Sequence, residues 1–480
     1  MKSYNKICGR LCVEMTGRLD SPLSVGSGEQ EYSDGDVALN ARGMPYIPGS
    51  SLAGALREYA AAARGEALTG RLFGTPKNGI PGSEDDRQSR IFCYDASVQE
   101  AQSGVRSGVK LNENKTAIHM EKYELQVVER DAVVKIRIEM VEREDCFEGK
   151  EDIETVWEKD LEWVKLWMRG FASGELRLGA KSRRGFGRIQ IDQVQIRKFN
   201  MKKKDDYLEW LDWDWEQAGA FDETESEALM VCAGSNGEEQ GCLEHCMEVP
   251  FHIPYTLLIR TYGESFARTG GLPDYEQMTV KGEGEKAFIP GSGWAGAFRS
   301  HIAKIIKELG RQPSWTDAQK TLDPLFGTWT DTEDRKQDLR ASNLIFEETL
   351  IQGGHGLPTA RIAVDRFTGG TVQGALYEEI PWTGGSGLLR IRWRKDIKDV
   401  SHETVCGLLL WAIKDLQAGI LAIGGETSVG RGICMPDETP PAIRKDNALF
   451  SEREQNECMK AAALWVQGKV KCEVMTDETV

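Results

Sequence analysis

The stretch YIPGSSLAGALRE at residues 46–58 decides the fold of this chain, because it recurs as FIPGSGWAGAFRS at residues 288–300. In both copies an Ile-Pro-Gly-Ser run opens a series of small residues that ends in an arginine, Arg57 or Arg299. Agreement of this kind indicates internal repetition, which has to be settled before any residue chemistry. The chain is therefore expected to contain two copies of one domain.

Further landmarks follow in the same order in each half, so the repeat extends over a whole domain. They are LFGT at 72–75 and 325–328, SRIFCYD at 89–95 and SNLIFE at 342–347, and the glycine-rich loops GAKSRRGFGR at 179–188 and GGETSVGRG at 424–432. Each half has about 200 residues, an ordinary domain size. We therefore expect a first domain at 1–200, a connecting segment at 201–249 and a second domain at 250–480.

Composition indicates a large soluble protein and limits where it can bind nucleic acid. The 480 residues are 40% hydrophobic and 28% charged, enough for two sizeable cores. The most apolar stretch, 406–425, is broken by Lys414 and Asp415, and the chain opens with no signal-like leader, so we expect no membrane span and no secretion. Eleven cysteines without a framework spacing favour a reducing cytoplasm. A net charge of −16 means that any phosphate-binding site has to be local.

Local patterns place the repeated motifs on helices and loops. Residues 7–16 and 255–262 are rich in β-formers and predict the opening strand of each half. Each Ile-Pro-Gly-Ser run predicts a helix start, since proline, glycine and serine favour that position. Second helices are expected near 155–172 and 403–420, each followed by a glycine loop. This order favours an α+β fold of the ferredoxin-like βαββαβ type.

The first glycine loop is the strongest candidate for contact with nucleic acid. Residues Lys181–Arg188 hold four cations and two glycines within eight positions, with smaller basic clusters at Arg106 and Lys110 and at 202–204. Glycine lets a backbone approach a ligand closely, and the cations can neutralise phosphate. A solvated basic turn is the alternative interpretation.

Together these motifs resemble the RAMP superfamily of CRISPR-associated proteins, in particular the backbone subunits of type III effector complexes (the Cas seven group). The resemblance covers most of the chain twice and depends on the helix motif, the LFG and the G-x-K-S-R-x-G-x-G-R loop. The segment RIAVDRFTGGT at 361–371 also resembles the lead into the thumb hairpin of those subunits.

The resemblance implies two tandem ferredoxin-like, RRM-like RAMP domains with thumb hairpin insertions, fused into one chain. The expected partners are a CRISPR guide RNA, a target RNA and other effector subunits, in the cytoplasm and away from membranes. Arg57 and Arg299 are equally suited to holding the fold together. The residues expected to contact RNA are Gly49, Ser50, Ser51, Arg57, Lys181, Arg183, Arg184, Gly185, Arg188, Gly291, Ser292, Arg299, Arg361, Arg366 and Arg431.

The resemblance also implies target-RNA cleavage by an aspartate in the loop before the first helix. In SGEQEYSDGDVALN that aspartate falls on Asp34, with Asp36 as its neighbour, and a carboxylate there can hold magnesium or another divalent metal. An ordinary turn is the alternative, because Asp and Gly are typical turn residues. In the second loop, counting back from Pro290 puts Glu276 nearest the equivalent position, and Asp274 is the nearest aspartate, which leaves cleavage there in doubt.

The connecting segment contains two features that need their own interpretation. Cys232, Cys242, His245 and Cys246 are zinc-type ligands, although a C-x2-4-C pair occurs at one end only, so free thiols are the alternative to a zinc site. The tryptophan-rich WLDWDW at 210–215 is interleaved with aspartates that repel phosphate. We therefore expect these tryptophans to pack on a neighbouring domain rather than to stack on bases.

Two other functions compete with a guide-binding subunit that cleaves target RNA. A guide-processing endoribonuclease of ferredoxin-like fold commonly uses a histidine near the first helix, but no histidine precedes His119 here. A structural capping subunit would bind one end of the guide and would lack an active aspartate. Cleavage of a guide-complementary RNA by the assembled complex, compared between wild type and Asp34→Ala, distinguishes these three functions.

Overall fold

A computed structural model describes most of the chain and divides it into two compact units. The first unit is Met1–Gly104, Gln126–Ser182 and Phe186–Leu243, and the second is Val105–Leu125, Arg183–Gly185 and Glu244–Val480. The expected boundaries at 200 and 250 follow the sequence repeat. In the structure, the second unit also contains a hairpin and three loop residues that belong to the first repeat. The described residues are 6–26, 28, 35–74, 88–147, 151–217, 221–223, 226–227, 230, 242–261, 275–282, 284–309, 314–328, 339–438 and 442–468.

The main helices and strands follow one another in the same order in both repeats, and the second repeat has additional short strands and a further helix, Glu452–Val466. The helices are α1 (Gly49–Arg64), α2 (Glu66–Phe73), α3 (Ile153–Ser173), α4 (Lys204–Asp212), α5 (Gly291–Glu308), α6 (Trp315–Thr321), α7 (Asp323–Phe326), α8 (His402–Gln417) and α9 (Glu452–Val466). The strands are β1 (Ile7–Leu19), β2 (Tyr46–Ile47), β3 (Ile91–Cys93), β4 (Ala96–Gln99), β5 (Ser103–Leu111), β6 (Ala117–Val128), β7 (Val133–Arg143), β8 (Ile189–Asn200), β9 (Glu244–His252), β10 (Thr256–Leu257), β11 (Tyr275–Glu276), β12 (Thr279–Gly282), β13 (Gly284–Ile289), β14 (Leu344–Phe346), β15 (Thr349–Leu350), β16 (His355–Gly356), β17 (Thr359–Val364), β18 (Thr371–Ile380), β19 (Trp382–Thr383), β20 (Ser386–Arg394), β21 (Arg444–Lys445) and β22 (Ala448–Leu449).

The first unit is an antiparallel sheet with two long helices packed on one face. Its strand order is β2-β4-β7-β1-β8, and β3 also pairs with β7. On the central strand Val13 pairs with Ile138 on one side and Ile196 on the other, and all three are fully buried. Helix α1 contributes Leu56 to this core and helix α3 contributes Trp167. The order β1-α1-β3-β7-α3-β8 is the expected ferredoxin-like arrangement.

The opposite face of this sheet is charged, and the tryptophan-rich connection covers it. Arg137 donates to Glu14 at 2.7 Å, so neighbouring strands exchange ion pairs across this face. Trp215 lies beneath the Arg137 guanidinium at 5.3 Å, and Trp213 contacts Phe199 edge-on at 5.6 Å. The tryptophans therefore pack on the protein itself, and they cover the face that an RRM would offer to bases.

The second unit repeats the arrangement, with its opening strand earlier than the sequence suggested. Its main sheet has the order β14-β20-β9-β21-β22, and helices α5, α8 and α9 pack on its core. The prediction of an opening strand at 255–262 is wrong, because only Thr256–Leu257 is a strand there and the central strand is Glu244–His252. Its register, with Met247 opposite Ile391, matches that of Val13 opposite Ile138. No described helix has the length and apolar character needed to cross a membrane.

Each repeat carries a long β-hairpin at the expected thumb position. Strands β5 and β6 form the first, and β17 pairs with β18 in the second, which includes the predicted segment 361–371. In the second unit Arg106 on the first hairpin donates to both carboxylate oxygens of Glu348, at 2.9 and 3.3 Å, above the ring of Phe288. Both charged side chains are almost fully buried, so this pair fixes the hairpin in place.

Candidate nucleic-acid interface and acidic loops

The two glycine-rich loops follow the same backbone path. At Gly179 a side chain would place a Cβ 2.5 Å from the Ser24 carbonyl oxygen, and at Gly424 the same Cβ would lie 2.6 Å from the Leu258 carbonyl oxygen. Positive φ angles recur at matching positions, which glycine tolerates best. They are 83°, 61°, 83° and 78° at Gly179, Lys181, Gly185 and Gly187, and 89°, 56°, 87° and 75° at Gly424, Glu426, Gly430 and Gly432.

Only the first of these loops is basic. With the backbones aligned, the four cations of the first loop correspond to residues without positive charge in the second. The first loop can therefore neutralise phosphate and the second cannot do so in the same way. The corresponding pairs are Lys181 and Glu426, Arg183 and Ser428, Arg184 and Val429, and Arg188 and Ile433.

The four cations of the first loop differ in what they contact. Arg188 forms an ion pair with Asp20 at 3.2 Å, and its side chain is 17% exposed. Arg184 donates to the Tyr123 hydroxyl at 2.8 Å within the second unit. Lys181 is exposed and Arg183 is partly exposed. Lys181 and Arg183 are therefore the cations most accessible to an RNA strand.

Gly185 packs against protein rather than lining an open groove. Within the second unit a Cβ at Gly185 would lie 2.7 Å from the Cα of Glu347, and a Cβ at Gly291 would lie 2.4 Å from the Arg184 carbonyl oxygen. The corresponding Gly430 has no atom within 4 Å of such a Cβ in the described structure. The glycine at 185 is thus explained by packing at the start of α5.

The helix starts are less open than the sequence suggested. The Gly49 amide donates to Asp95 Oδ1 at 2.8 Å, so that donor is already used within the fold. Gly49 and Gly291 are buried, and a Cβ would lie 2.2 Å from the Cys93 carbonyl oxygen and 2.1 Å from that of Phe346. These contacts require glycine at both positions for packing. Ser50 and Ser51 are exposed and Ser292 is partly exposed.

Arg57 and Arg299 hold equivalent loops. Arg57 donates to the Gly74 carbonyl oxygen at 3.4 Å, and Arg299 donates to that of Gly327 at 3.0 Å. Arg299 also binds the Asp323 carboxylate at 2.8 Å and is only 15% exposed. The structure therefore supports the fold-stabilising interpretation, most clearly for Arg299.

The first acidic loop is anchored at the base of the first hairpin. Asp34 lies outside the described residues, whereas Asp36 is described and is 7% exposed. On either side of Asp36, the Gly35 carbonyl accepts from the Gln126 amide at 3.1 Å, and the Val37 amide donates to Gln126 Oε1 at 3.0 Å. The loop therefore follows the strand that leads back from the hairpin.

The second acidic loop has the same register, which changes the residue correspondence. The Ala38 amide donates to the Val25 carbonyl at 2.7 Å, and the Met278 amide donates to the Ile259 carbonyl at 2.8 Å. Residues 25 and 259 are equivalent, because each lies against the first glycine of its glycine loop. Counting back two residues from Ala38 and Met278 pairs Asp36 with Glu276.

Counting back two more residues in the sequence reaches Asp34 and Asp274, both of which lie outside the described residues. Glu276 therefore corresponds to Asp36 rather than to the position reached by counting back from Pro290, because the two loops differ in length before the helix. Both loops therefore carry two carboxylates at the same spacing: Asp34 and Asp36 in the first, Asp274 and Glu276 in the second.

Arg361 and Arg431, expected to contact RNA, are part of an ion-pair network. Arg431 donates to Glu379 at 2.5 Å, and Arg361 donates to Glu426 at 3.3 Å. Arg260 also donates to Glu426, at 2.7 Å. Arg366 lies apart from this network, exposed in the turn at the tip of the second hairpin.

The zinc-type residues that the structure describes do not converge. His245 bonds Asp446 at 2.8 Å, whereas Cys242 bonds Glu175 in the first unit at 2.8 Å. Burial raises the pKa of the Cys246 thiol to about 11. Cys232 lies outside the described residues, and among those described no group of three or more ligands suits a metal.

Sequence reasoning missed Arg260, Tyr275 and Glu379. Tyr275 is the backbone partner of Glu379, and its ring lies 4.0 Å beneath the Arg260 guanidinium. A signal was present in the second glycine loop, where Glu426 and Arg431 stand in place of Lys181 and Phe186. A charge reversal at matched positions indicates that the surroundings have changed as well.

Comparisons with known proteins identify both repeats. A family model of the RAMP superfamily matches residues 17–190 and 269–434. Among solved structures the chain is similar to one described as the cryo-EM structure of the Type III-B Cmr-beta bound to cognate target RNA, with 17% identity, a TM-score of 0.30, and coverage of 39% of this chain and 61% of that chain. This chain thus matches about three fifths of that chain's length. No curated protein sequence matches. The two family matches include both helix motifs and both glycine loops.

Proposed function

Since this chain belongs to the RAMP superfamily, we propose that it is an RNA-binding backbone subunit of a type III CRISPR effector complex, with two such subunits fused in tandem. The observation that carries the proposal is the duplicated ferredoxin-like domain with matched glycine loops, of which the first is basic. Its partners are a guide RNA, the target RNA that pairs with it, and neighbouring effector subunits.

The first domain binds the guide through its glycine loop. Lys181 is exposed and Arg183 is partly exposed. Arg184 donates to the Tyr123 hydroxyl, and Arg188 forms an ion pair with Asp20. A protein with a net charge of −16 needs such a local positive surface to hold phosphates. The charged face of the first sheet does not compete for bases, because its arginines pair with carboxylates and its surface carries the tryptophan-rich connection.

Target RNA is cleaved at the acidic loops. The carboxylate of Asp34 takes the proton of a ribose 2′-hydroxyl, whose oxygen attacks the adjacent phosphorus while the bond to the 5′-oxygen breaks. The products are a 2′,3′-cyclic phosphate and a 5′-hydroxyl that has gained a proton. Asp36 is buried and follows the anchored part of the loop, so we assign proton transfer to Asp34.

A divalent cation fits these loops by donor chemistry. Each loop offers two carboxylates, and oxygen ligands are those that magnesium prefers. Asp34 with Asp36, and Asp274 with Glu276, would hold it. When bound, such an ion polarises the phosphate and offsets the repulsion between carboxylate and RNA.

A structural role for the second domain is the alternative, and the second glycine loop favours it. That loop has no cation corresponding to Lys181 or Arg183, and Val429 at its tip is 57% exposed. In the first glycine loop, Arg184 and Gly185 correspond to Val429 and Gly430. Arg184 and Gly185 belong to the second unit and pack against protein there. The second loop is therefore suited to packing against another effector subunit.

Guide binding tests the proposal directly. The full chain is titrated with labelled guide RNA at several salt concentrations, with Lys181→Gln/Arg183→Gln compared with Lys304→Gln/Arg453→Gln, whose side chains are 65% and 89% exposed. Loss of two phosphate contacts should reduce the slope of log K against log salt by about 1.4, since each contact on a single strand contributes about 0.7. Equal slopes in both variants, or no binding by the wild type, would contradict it.

A further inference from the structure

A compact ion-pair network of three arginines and two glutamates lies beneath the second hairpin. Glu379 accepts from Arg431 at 2.5 Å and lies 3.6 Å from Arg361. Glu426 accepts from Arg260 at 2.7 Å and from Arg361 at 3.3 Å, and it lies 3.4 Å from Arg431. Every member contacts at least one group of opposite charge.

The network has more positive than negative charge. Three guanidinium groups face two carboxylates, and Glu379 is completely buried. Its burial and its hydrogen bond with Glu426 raise the pKa of Glu379. In the described structure Arg260 Nε and Arg431 Nη1 are buried without a hydrogen-bond partner. Such a cluster attracts an anion.

This positive cluster adjoins the second acidic loop. Tyr275, next to Glu276, pairs with Glu379 along the backbone, and Arg260 lies over the Tyr275 ring at 4.0 Å. Arg260 is also bridged to Gln277 on the other side of Glu276. Residues of the network therefore flank the described carboxylate of that loop.

The fold itself does not need the network. At matched positions the first domain has Gly26 in place of Arg260, Lys181 in place of Glu426, and Phe186 in place of Arg431. The same backbone path is thus formed there without these charges. Burying ionic groups is costly when apolar packing serves as well, so the network indicates a function specific to the second domain.

We propose that Arg260 and Arg361 bind one phosphodiester of single-stranded RNA beside the second acidic loop, at a site that the first domain lacks. Their side chains are 28% and 35% exposed, whereas Arg431 is 3% exposed and balances the buried carboxyl. Planar guanidinium groups offer paired donors that match phosphate oxygens. The two arginines also offset the repulsion between Glu276 and the RNA backbone. This inference rests on the proposed RNA binding and adds a phosphate site to it.

Salt dependence tests the charge contact. The full chain is titrated with a labelled single-stranded RNA at several salt concentrations, comparing wild type with Arg260→Gln, Arg260→Lys and the exposed control Arg453→Gln. Arg260→Gln should weaken binding by about tenfold, as for a charged hydrogen bond, and lower the salt slope by about 0.7. Arg260→Lys should keep the wild-type salt slope. The double variant Arg260→Gln/Arg361→Gln should lose less binding free energy than the sum of the losses in the two single variants.

Neutral linkages identify the phosphate. RNAs in which one phosphodiester at a time is replaced by a methylphosphonate are compared on wild type and Arg260→Gln. At one linkage, the methylphosphonate should weaken RNA binding by the wild type about as much as Arg260→Gln does. The same replacement should not weaken RNA binding by Arg260→Gln any further. Arg361→Gln repeats the test if melting shows that Arg260→Gln is unfolded. An unchanged slope and equal sensitivity at every linkage would overturn the site. If wild type binds no RNA, both proposals fail; if binding depends on Lys181 and Arg183 but not on Arg260, only this one fails.

Discussion

At the scale of single residues, the glycine that opens each first helix is explained by contact with a strand. A Cβ at Gly49 would lie 2.2 Å from the Cys93 carbonyl oxygen, a backbone atom that cannot move aside cheaply. Gly54, five residues further along the same helix, is exposed and has no atom within 4 Å of such a Cβ in the described structure. The two positions therefore separate a packing role for glycine from a ligand-binding role.

We predict opposite effects of alanine at these two positions. Gly49→Ala should lower the free energy of unfolding by about 2 kcal/mol or more, the range for overpacking in a core. Gly54→Ala should raise it by about 1 kcal/mol, because alanine is the better helix former. Denaturant melts of the two variants measure both changes. A Gly49→Ala chain with wild-type stability and weakened RNA binding would instead restore the phosphate-binding interpretation of Gly49.

At the scale of elements, the start of α8 carries a histidine whose surroundings keep it neutral. Burial, His245 and Lys445 lower the pKa of His402 to about 4, from an ordinary 6.5. Lys445 Nζ lies 3.2 Å from His402 Nε2, and Trp393 donates its indole N–H to His402 Nδ1 at 3.4 Å. The titratable groups around it are His245, Glu403, Cys406, Lys445 and Asp446.

This environment predicts a loss of stability in mild acid. Because the folded-state pKa is depressed, the unfolded chain binds a proton first, and stability falls as pH drops from about 6.5 towards 4. The contribution should be about 1–2 kcal/mol after allowance for partial exposure. Urea melts at pH 7 and pH 4.5 should show a smaller decrease for His402→Gln than for wild type. Equal decreases would exclude His402 as a source.

The two long helices that the sequence predicts in each domain are present, whereas the opening strand of the second domain could not be predicted. Helix α3 at Ile153–Ser173 and helix α8 at His402–Gln417 have long apolar stripes and side-chain caps from Asp152 and Ser401, which are local signals. The strand Glu244–His252 follows a stretch that resembles a linker and contains Pro250. Its identity depends on pairing with β20, a contact distant in sequence.

The candidate site was predictable to the extent that it depends on local residue type. The basic loop at 181–188 was recognisable from its glycines and cations alone. That Arg184 contacts Tyr123, or that Arg299 holds the Gly327 carbonyl, depends on side chains brought together by the fold. The correspondence of Asp36 with Glu276 also needed the hydrogen bonds at Ala38 and Met278, because the loops differ in length.

At the scale of the whole molecule, duplication gives one chain two acidic loops with different surroundings. The first lies beside a basic glycine loop with Lys181, and the second beside the network that contains Arg260 and Glu426. Both loops have two carboxylates at the same spacing in the sequence. If each acts on the RNA strand that its own domain holds, the two cuts are separate events and should be lost separately.

We therefore predict that Asp34→Ala and Asp274→Ala each remove a different cut in a target RNA that pairs with the guide. Each should slow its own cut by about 100-fold, the usual effect of losing a catalytic acid or base, and leave the other cut and guide binding unchanged. Asp399→Ala, at a side chain 59% exposed and paired with Arg340, is the matched control. The assembled complex is assayed by product mapping on a gel, with and without EDTA. An Asp274→Ala complex that keeps every cut at the wild-type rate would make the second domain a binding domain only, and cuts that persist in EDTA would remove the metal from the proposal. Loss of both cuts in either single variant would mean that cleavage at each position needs both loops, and it would contradict the prediction of separate cuts.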